Sequence, residues 1–213
     1  RQLPHESESF ARVDATFRMR MDQVDKTKNC IAISEIEKIV EDMTESNSTI
    51  EKVQKGLKDY LETKRLYFPR FFFLNDADLL SILAETKDPS LVQPHLAKAF
   101  EGVAKVRFDE TNSIIQAMIS AENELVEWEP ASYVDVNKPG NKGAVERWLL
   151  EVEEVMMDTL RSVTKASNVA YITSDRPKWC CEWPGQVVIA TDCIFWTAEV
   201  TEALKNHKIA EYE

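Results

Sequence analysis

Glycine is scarce in this sequence, five residues in 213, and none of the five opens a phosphate-cradling loop. Such a loop needs a glycine-rich turn followed by Lys and Ser or Thr, so that backbone amides and an ammonium can surround a phosphate. Gly140 and Gly143 lack that spacing, and Pro139 beside them reads as a simple turn. Histidine is scarcer still. A Ser or Cys nucleophile needs a nearby base, yet only His5, His95 and His207 are available. His95 follows Pro94 at a helix start and reads as a capping or packing residue, while His5 and His207 read as exposed. The four cysteines, Cys30, Cys180, Cys181 and Cys193, form neither a disulfide framework nor a Cys-x-x-Cys zinc pair. They read as small buried hydrophobes in a reducing intracellular compartment. No stretch reaches about 18 apolar residues and none resembles a signal peptide, so no membrane partner is expected.

Basic charge is also short. Acidic residues number 37 against 26 basic ones, a net charge of -11, which excludes nucleic acid as an expected partner because phosphate binding needs a concentrated basic face. The run Glu122, Glu124, Glu127 and Glu129 reads as a wet strand face, and Glu151, Glu153 and Glu154 as helix surface. The residues therefore offer no catalytic, cofactor-binding or metal-binding candidates. What the chain does have is 44% hydrophobic residues, enough for a sizeable core.

Those residues are ordered with a helical period. Phe10, Val13, Phe17, Met21 and Val24 predict a helix over 8–28. Ile36, Met43, Ile50 and Leu57 keep a seven-residue phase through Ser46-Asn47-Ser48, predicting one long helix over 35–63, with two helices as the alternative. Ser34 and Glu37 read as its capping box. Pro69 makes the aromatic run Tyr67–Phe73 a connector wedged between helices. Asn75 and Asp88-Pro89 mark the starts of short elements, with helices predicted over 76–86 and 94–102. The period then changes to alternation, predicting two or three short antiparallel strands within 104–129. The stripe of Val145, Trp148, Leu149, Val152, Val155, Met156 and Leu160 predicts a helix over 144–170, and Pro184 opens another over 184–206. Trp148, Trp179, Trp183 and Trp196 are expected to bury large areas. The fold class read from this is mainly α: an elongated bundle of long helices with a small antiparallel hairpin or three-stranded sheet, one unit over 1–213.

As ordered text, Lys64 to Val103 (KRLYFPRFFFLNDADLLSILAETKDPSLVQPHLAKAFEGV) resembles N-terminal region 2 of dynein heavy chains, the part that builds the motor's linker. The resemblance continues through Met118, Ser120 and Glu122, then Val145 to Glu153 (VERWLLEVE), Trp179 to Val188 (WCCEWPGQVV) and Trp196 to Val200 (WTAEV). Asn137 to Gly143 and Cys180-Cys181 depart from it locally. The resemblance implies an excerpt of a longer chain, a mechanical linker segment of a microtubule motor that couples changes in an AAA+ ring to movement of the tail in a power stroke. It implies no catalysis here. ATP and Mg belong to the ring of the parent chain, an ATP-hydrolysing motor. Implied partners are that ring, other dynein subunits and microtubules; the implied location is the axoneme of cilia and flagella, alternatively the cytoplasm. The rival from the residues themselves is a passive helical scaffold or adaptor that binds a partner helix through the aromatic patch 67–73.

Overall fold

Helix-forming periodicity separated by two short polar breaks produces, at the N-terminus, three helices: α1 (Pro4–Thr27), α2 (Cys30–Ser34) and α3 (Ile39–Tyr67). They are seen in a computed structural model that describes residues 3–84 and 88–211. The chain divides into two compact units, Arg1–Tyr67 and Phe68–Glu213, where one had been expected.

In the first unit Pro4 occupies the start of α1, where its missing N–H costs nothing. Lys28 ends α1 in the left-handed region, its N–H reaching Val24 O at 2.9 Å. Asn29 then caps α2, accepting from the N–H of Ile31 at 3.0 Å. The capping box expected at Ser34 does not form. Ser34 closes α2, its hydroxyl donating to Ile31 O at 2.6 Å, and Lys38 turns left-handed with φ 61°. The long helix consequently spans Ile39–Tyr67 rather than 35–63, and it is continuous through Ser46-Asn47-Ser48. It packs against α1. Gly56 permits the approach, since a Cβ there would lie 2.8 Å from a carboxylate oxygen of Glu6. The Arg20 guanidinium bridges from α1 to Asp42 and to the carbonyl of Glu37.

The second unit opens with Phe68, which precedes a 3-10 turn, Pro69–Phe73; Phe68 and Phe71 are fully buried and pack edge-on at 5.0 Å. Phe72 and Phe73 point outward, 59% and 71% exposed, so the aromatic run is wedged in only on one side. Helix α4 (Asp76–Ala84) is capped by Asn75, which accepts from the N–H of Asp78 at 2.8 Å; residues 85 and 86 of the predicted 76–86 helix lie outside the described residues. Asp88 caps a second 3-10 turn, Pro89–Val92, and α5 follows over Gln93–Ala99. It stops short of the predicted 102 because Phe100 is extended.

Four strands come next: β1 (Lys105–Phe108), β2 (Ile114–Ile119), β3 (Leu125–Glu127) and β4 (Val134–Asp135). The sheet is antiparallel, with β2 central, β1 on one edge, and β3 and β4 sharing the other. Strand β4 falls beyond the predicted 104–129; two residues are too few for an alternation to show. Helix α6 runs Val145–Thr173, α7 Arg176–Glu182 and α8 Gly185–Lys205. Pro184 stands just before the first residue of α8, and α7 was not anticipated. Ile115 and Ala117 of β2 are buried, as are Val145, Trp148, Leu149 and Val152 on the predicted stripe of α6.

Two burial expectations are corrected. Trp148 and Trp179 are buried, but Trp196 is 55% exposed, because α8 turns Val187 and Thr191 inward and Trp196 lies round the other side. Cys180, Cys181 and Cys193 are exposed rather than buried; on α7 the inward direction is already taken by Trp179. Among the described residues no helix is long and apolar enough to cross a membrane.

Candidate functional site

Helix α6 is 29 residues long, and the side chains that tie it to its surroundings define the candidate site. Near its first turns, Glu151 takes the Lys138 ammonium at 2.8 Å and the Asn141 amide at 3.2 Å. The same Asn141 amide donates to the Asp135 carbonyl at 3.0 Å and is almost fully buried. One loop amide thus joins the edge strand β4 to the helix. One residue beyond Val152, Glu153 accepts from Arg70 Nε at 2.7 Å. Arg70 also donates to the carbonyl of Ala99 at 3.2 Å and lies 4.9 Å from the centre of the Phe100 ring. A single guanidinium therefore links the aromatic turn, the end of α5 and the third turn of α6, a use to which its flat, five-donor fork is suited.

The far end of α6 is held by a buried polar cluster. Trp179 of α7 is fully buried and donates from Nε1 to Ser167 Oγ at 3.1 Å; Thr191 of α8 meets the same hydroxyl at 3.3 Å. Tyr171 packs edge-on against Trp179 at 4.9 Å and stacks on Phe195 at 4.2 Å. Three helices are pinned here by hydroxyls that would be costly to bury without partners. Between the two ends, Glu124 in the β2–β3 turn accepts from the N–H of Gly185 at 2.9 Å, placing a carboxylate at the positive end of α8. A cleft of about 300 Å3 opens beside it, lined among others by Arg70, Met118, Val126, Met156 and Pro184.

Smaller ties complete the unit. The Gln93 amide pairs both ways with the backbone of Val106, at 2.7 and 3.0 Å, fastening α5 to β1. Asp78 of α4 takes Lys98 of α5 at 2.6 Å, with His95 Nδ1 at 3.6 Å. The hydrogen bond from Lys98 holds the Asp78 carboxyl below its ordinary range. Asp109 in the β1–β2 turn is lowered likewise, by hydrogen bonds from Thr111, Ile114 and Ser113.

His95 Nδ1 therefore faces the Asp78 carboxylate. The three described cysteines sit on the surface, and among the described residues no group of three or more His, Cys, Asp or Glu could hold a metal ion. Glu151 and Glu153, read as helix surface, are tethers instead, and Glu124 of the wet acidic run is a helix cap. Arg70, Asn141 and Thr191 carried no signal as single residues. Ser167 could have been found, because it keeps the seven-residue spacing from Leu160 on the apolar stripe. The arrangement fastens one long helix at several points along its length.

Residues 1–167 match the family model of dynein heavy chain, N-terminal region 2. The chain is 43% identical to dynein axonemal heavy chain 3 of Homo sapiens over 212 residues, covering 99% of this chain and 5% of that protein. It is 43% identical to dynein axonemal heavy chain 12 of Mus musculus over 205 residues, 96% of this chain and 6% of that protein. Against dynein axonemal heavy chain 1 of Mus musculus the figures are 40% over 210 residues, 99% and 5%. The chain spans only 5 to 6% of the length of these relatives.

Proposed function

We propose a mechanical function for this chain, which belongs to the dynein heavy chain N-terminal region 2 family: it is a linker segment that transmits ATP-driven changes in the AAA+ ring of its heavy chain to the tail. ATP is held with Mg and hydrolysed in the ring, and the segment works by packing. The parent would act on microtubules in the axoneme of cilia or flagella, in keeping with the axonemal names of its relatives. The observation that carries the reading is the repeated fastening of α6, at Glu151, Glu153 and Ser167. A helix held in its first turns and again near its far end resists bending, and a stiff element is what force transmission requires.

A helix break at Glu153 tests this in the intact motor. Glu153→Pro removes a backbone hydrogen bond at a cost of about 3 kcal/mol or more and also unfastens Arg70. The expected motor hydrolyses ATP but moves microtubules slowly or not at all, provided ring assembly and helical content are normal. Gliding at full speed would take α6 out of the force path. The adaptor reading keeps one observation in its favour, the exposure of Phe72 and Phe73. Phe72→Ser with Phe73→Ser separates the two: an adaptor loses its partner helix, whereas a lever keeps its gliding velocity.

A further inference from the structure

The two edges of the sheet are finished differently. On β1 the outward N–H and C=O of Val106 are both taken by the Gln93 side chain, at 3.0 and 2.7 Å, so an amide stands where a neighbouring strand would. The edge formed by β3 is open. Ser120 donates from its N–H to the carbonyl of Glu124 at 3.0 Å, and Trp128 from its N–H to that of Gln116 at 2.9 Å. The main-chain groups of residues 124, 126 and 128 therefore point towards β2 and, by alternation, those of Leu125 and Glu127 point away from it. Among the described residues no hydrogen bond reaches these outward groups, and both residues are exposed. Such a row of donors and acceptors is a template for one more strand.

The surroundings of the edge select the strand. Val126 stands opposite Met118, and both line the cleft of about 300 Å3 together with Met156, Met157 and Leu160 of α6. A residue laid beside Val126 sends its side chain to that same face of the sheet, where a hollow walled by adaptable methionines suits an aliphatic side chain. The charge around it is negative. Residues 120–130 carry Glu122, Glu124, Glu127 and Glu129 and no Lys or Arg, and Glu101, also exposed, lines the cleft. The nearby cations are already matched, Arg70 by Glu153 at 2.7 Å and Arg107 by Glu127 at 3.0 Å. A second copy of β3 would bring the same carboxylates against one another, which disfavours self-pairing.

We infer that the open edge of β3, with the cleft behind it, is the docking site for an extended segment of a separate protein. The segment pairs main chain to main chain, seats an aliphatic side chain in the cleft, and carries Lys or Arg at the alternate positions, matching the glutamates of the edge.

The test titrates the intact heavy chain with a fluorescent peptide, Lys-Val-Lys-Leu-Lys-Val-Lys, and reads anisotropy. Saturable binding is expected. It should weaken at least about tenfold when alternate peptide nitrogens are methylated, since main-chain pairing is then lost with the charge unchanged, and when the central Leu is Gly. In the heavy chain, Leu125→Pro removes one outward N–H without touching the bonds between β2 and β3, and Glu122→Lys with Glu129→Lys alters exposed charge alone; each should weaken binding by about tenfold or more. Absence of binding would overturn the inference, and so would equal binding of the methylated peptide, which would mean charge attraction only. A photo-reactive leucine analogue at position 125 of the native motor should mark a basic, aliphatic stretch of another protein, and the peptide should compete with it. Cross-links within the same heavy chain or to a second copy, or none at all, would also overturn the inference. None of these readouts involves motility, so a normal gliding speed in the α6-break motor would reject the mechanical reading and leave this result standing.

Discussion

The two units of this chain differ in how a helix is stabilised. Among the described residues of Arg1–Tyr67 the buried hydrophobic side chains are Val13 and Leu61 alone, while Phe10, Phe17 and Met21 of α1 are about half exposed. In Phe68–Glu213 the long helix α6 buries Val145, Trp148, Leu149 and Val152, and it is further tied by charged and hydroxyl groups from a turn, a loop and two other helices. Both α3 and α6 are 29 residues long. Length is therefore no guide to rigidity. The number of independent elements that touch a helix is, because each contact must be lost before the helix can bend or open.

The sharpest test of that contrast is the pin at the far end of α6. Trp179→Ala removes a fully buried ring together with its hydrogen bond to Ser167 and should lower stability by about 3–5 kcal/mol, read from the urea midpoint of tryptophan fluorescence. All five tryptophans lie in the second unit, so this signal reports that unit alone. An unchanged midpoint would mean that the cluster holds nothing.

A smaller loss is expected in the third turn of α6. Arg70→Met leaves Glu153 without its guanidinium and should cost about 2 kcal/mol, the range for hydrogen bonds to charged partners. A double-mutant cycle with Glu153→Gln separates the ion pair from the contact of Arg70 with Phe100 and Ala99; a coupling energy near zero would assign the effect to packing.

Acid should find the second unit through Asp78 and Asp109. Both carboxyls are held below their ordinary value of 3.8 by hydrogen bonds made in the folded state. A depressed folded pKa contributes stability that is complete above the unfolded value and is lost as pH falls through the folded one. The melting temperature should accordingly fall faster with acid, below pH ~4, in the natural chain than in the Asp78→Asn, Asp109→Asn double variant. Parallel curves for the two proteins would dismiss this contribution.

Least of all is expected in the first unit. Phe17→Ala on the exposed side of α1 should change stability by no more than ~0.5 kcal/mol, and hydrogen exchange in α1 should already be faster than in α6 in the natural chain. A large loss would mean that Phe17 is covered in solution and would erase the contrast between the units.

Legibility followed burial and length. The stripe of α6 was readable because its apolar residues recur at 3.6-residue spacing and pack on a sheet that is itself alternating. The stripe of α1 was equally readable, yet periodicity reports only that side chains share a face, and Phe10 and Phe17 share one that remains open. The same limit explains Trp196: its phase within α8 was clear, but α8 has two apolar faces and only one meets the core. Strand β4 and helix α7 were missed because two and seven residues are too few for a period to rise above composition. Ser34 was misread because a hydroxyl can start one helix or close the preceding one, and the left-handed turn at Lys38 decided for the second.

Periodicity, caps and ordered motifs in the sequence by themselves determined the helical class, the antiparallel strands between 105 and 127, the unbroken α3 and the family to which the chain belongs. These are local matters, settled by propensity and spacing within a few turns. Only the tertiary structure decided that Arg70 meets Glu153 across 83 positions, that Asn141 joins β4 to α6, and that Ser167, Trp179 and Thr191 share one buried corner. Such pairings depend on how elements cross in space, and a side chain's sequence neighbours carry no record of the partners that folding brings to it.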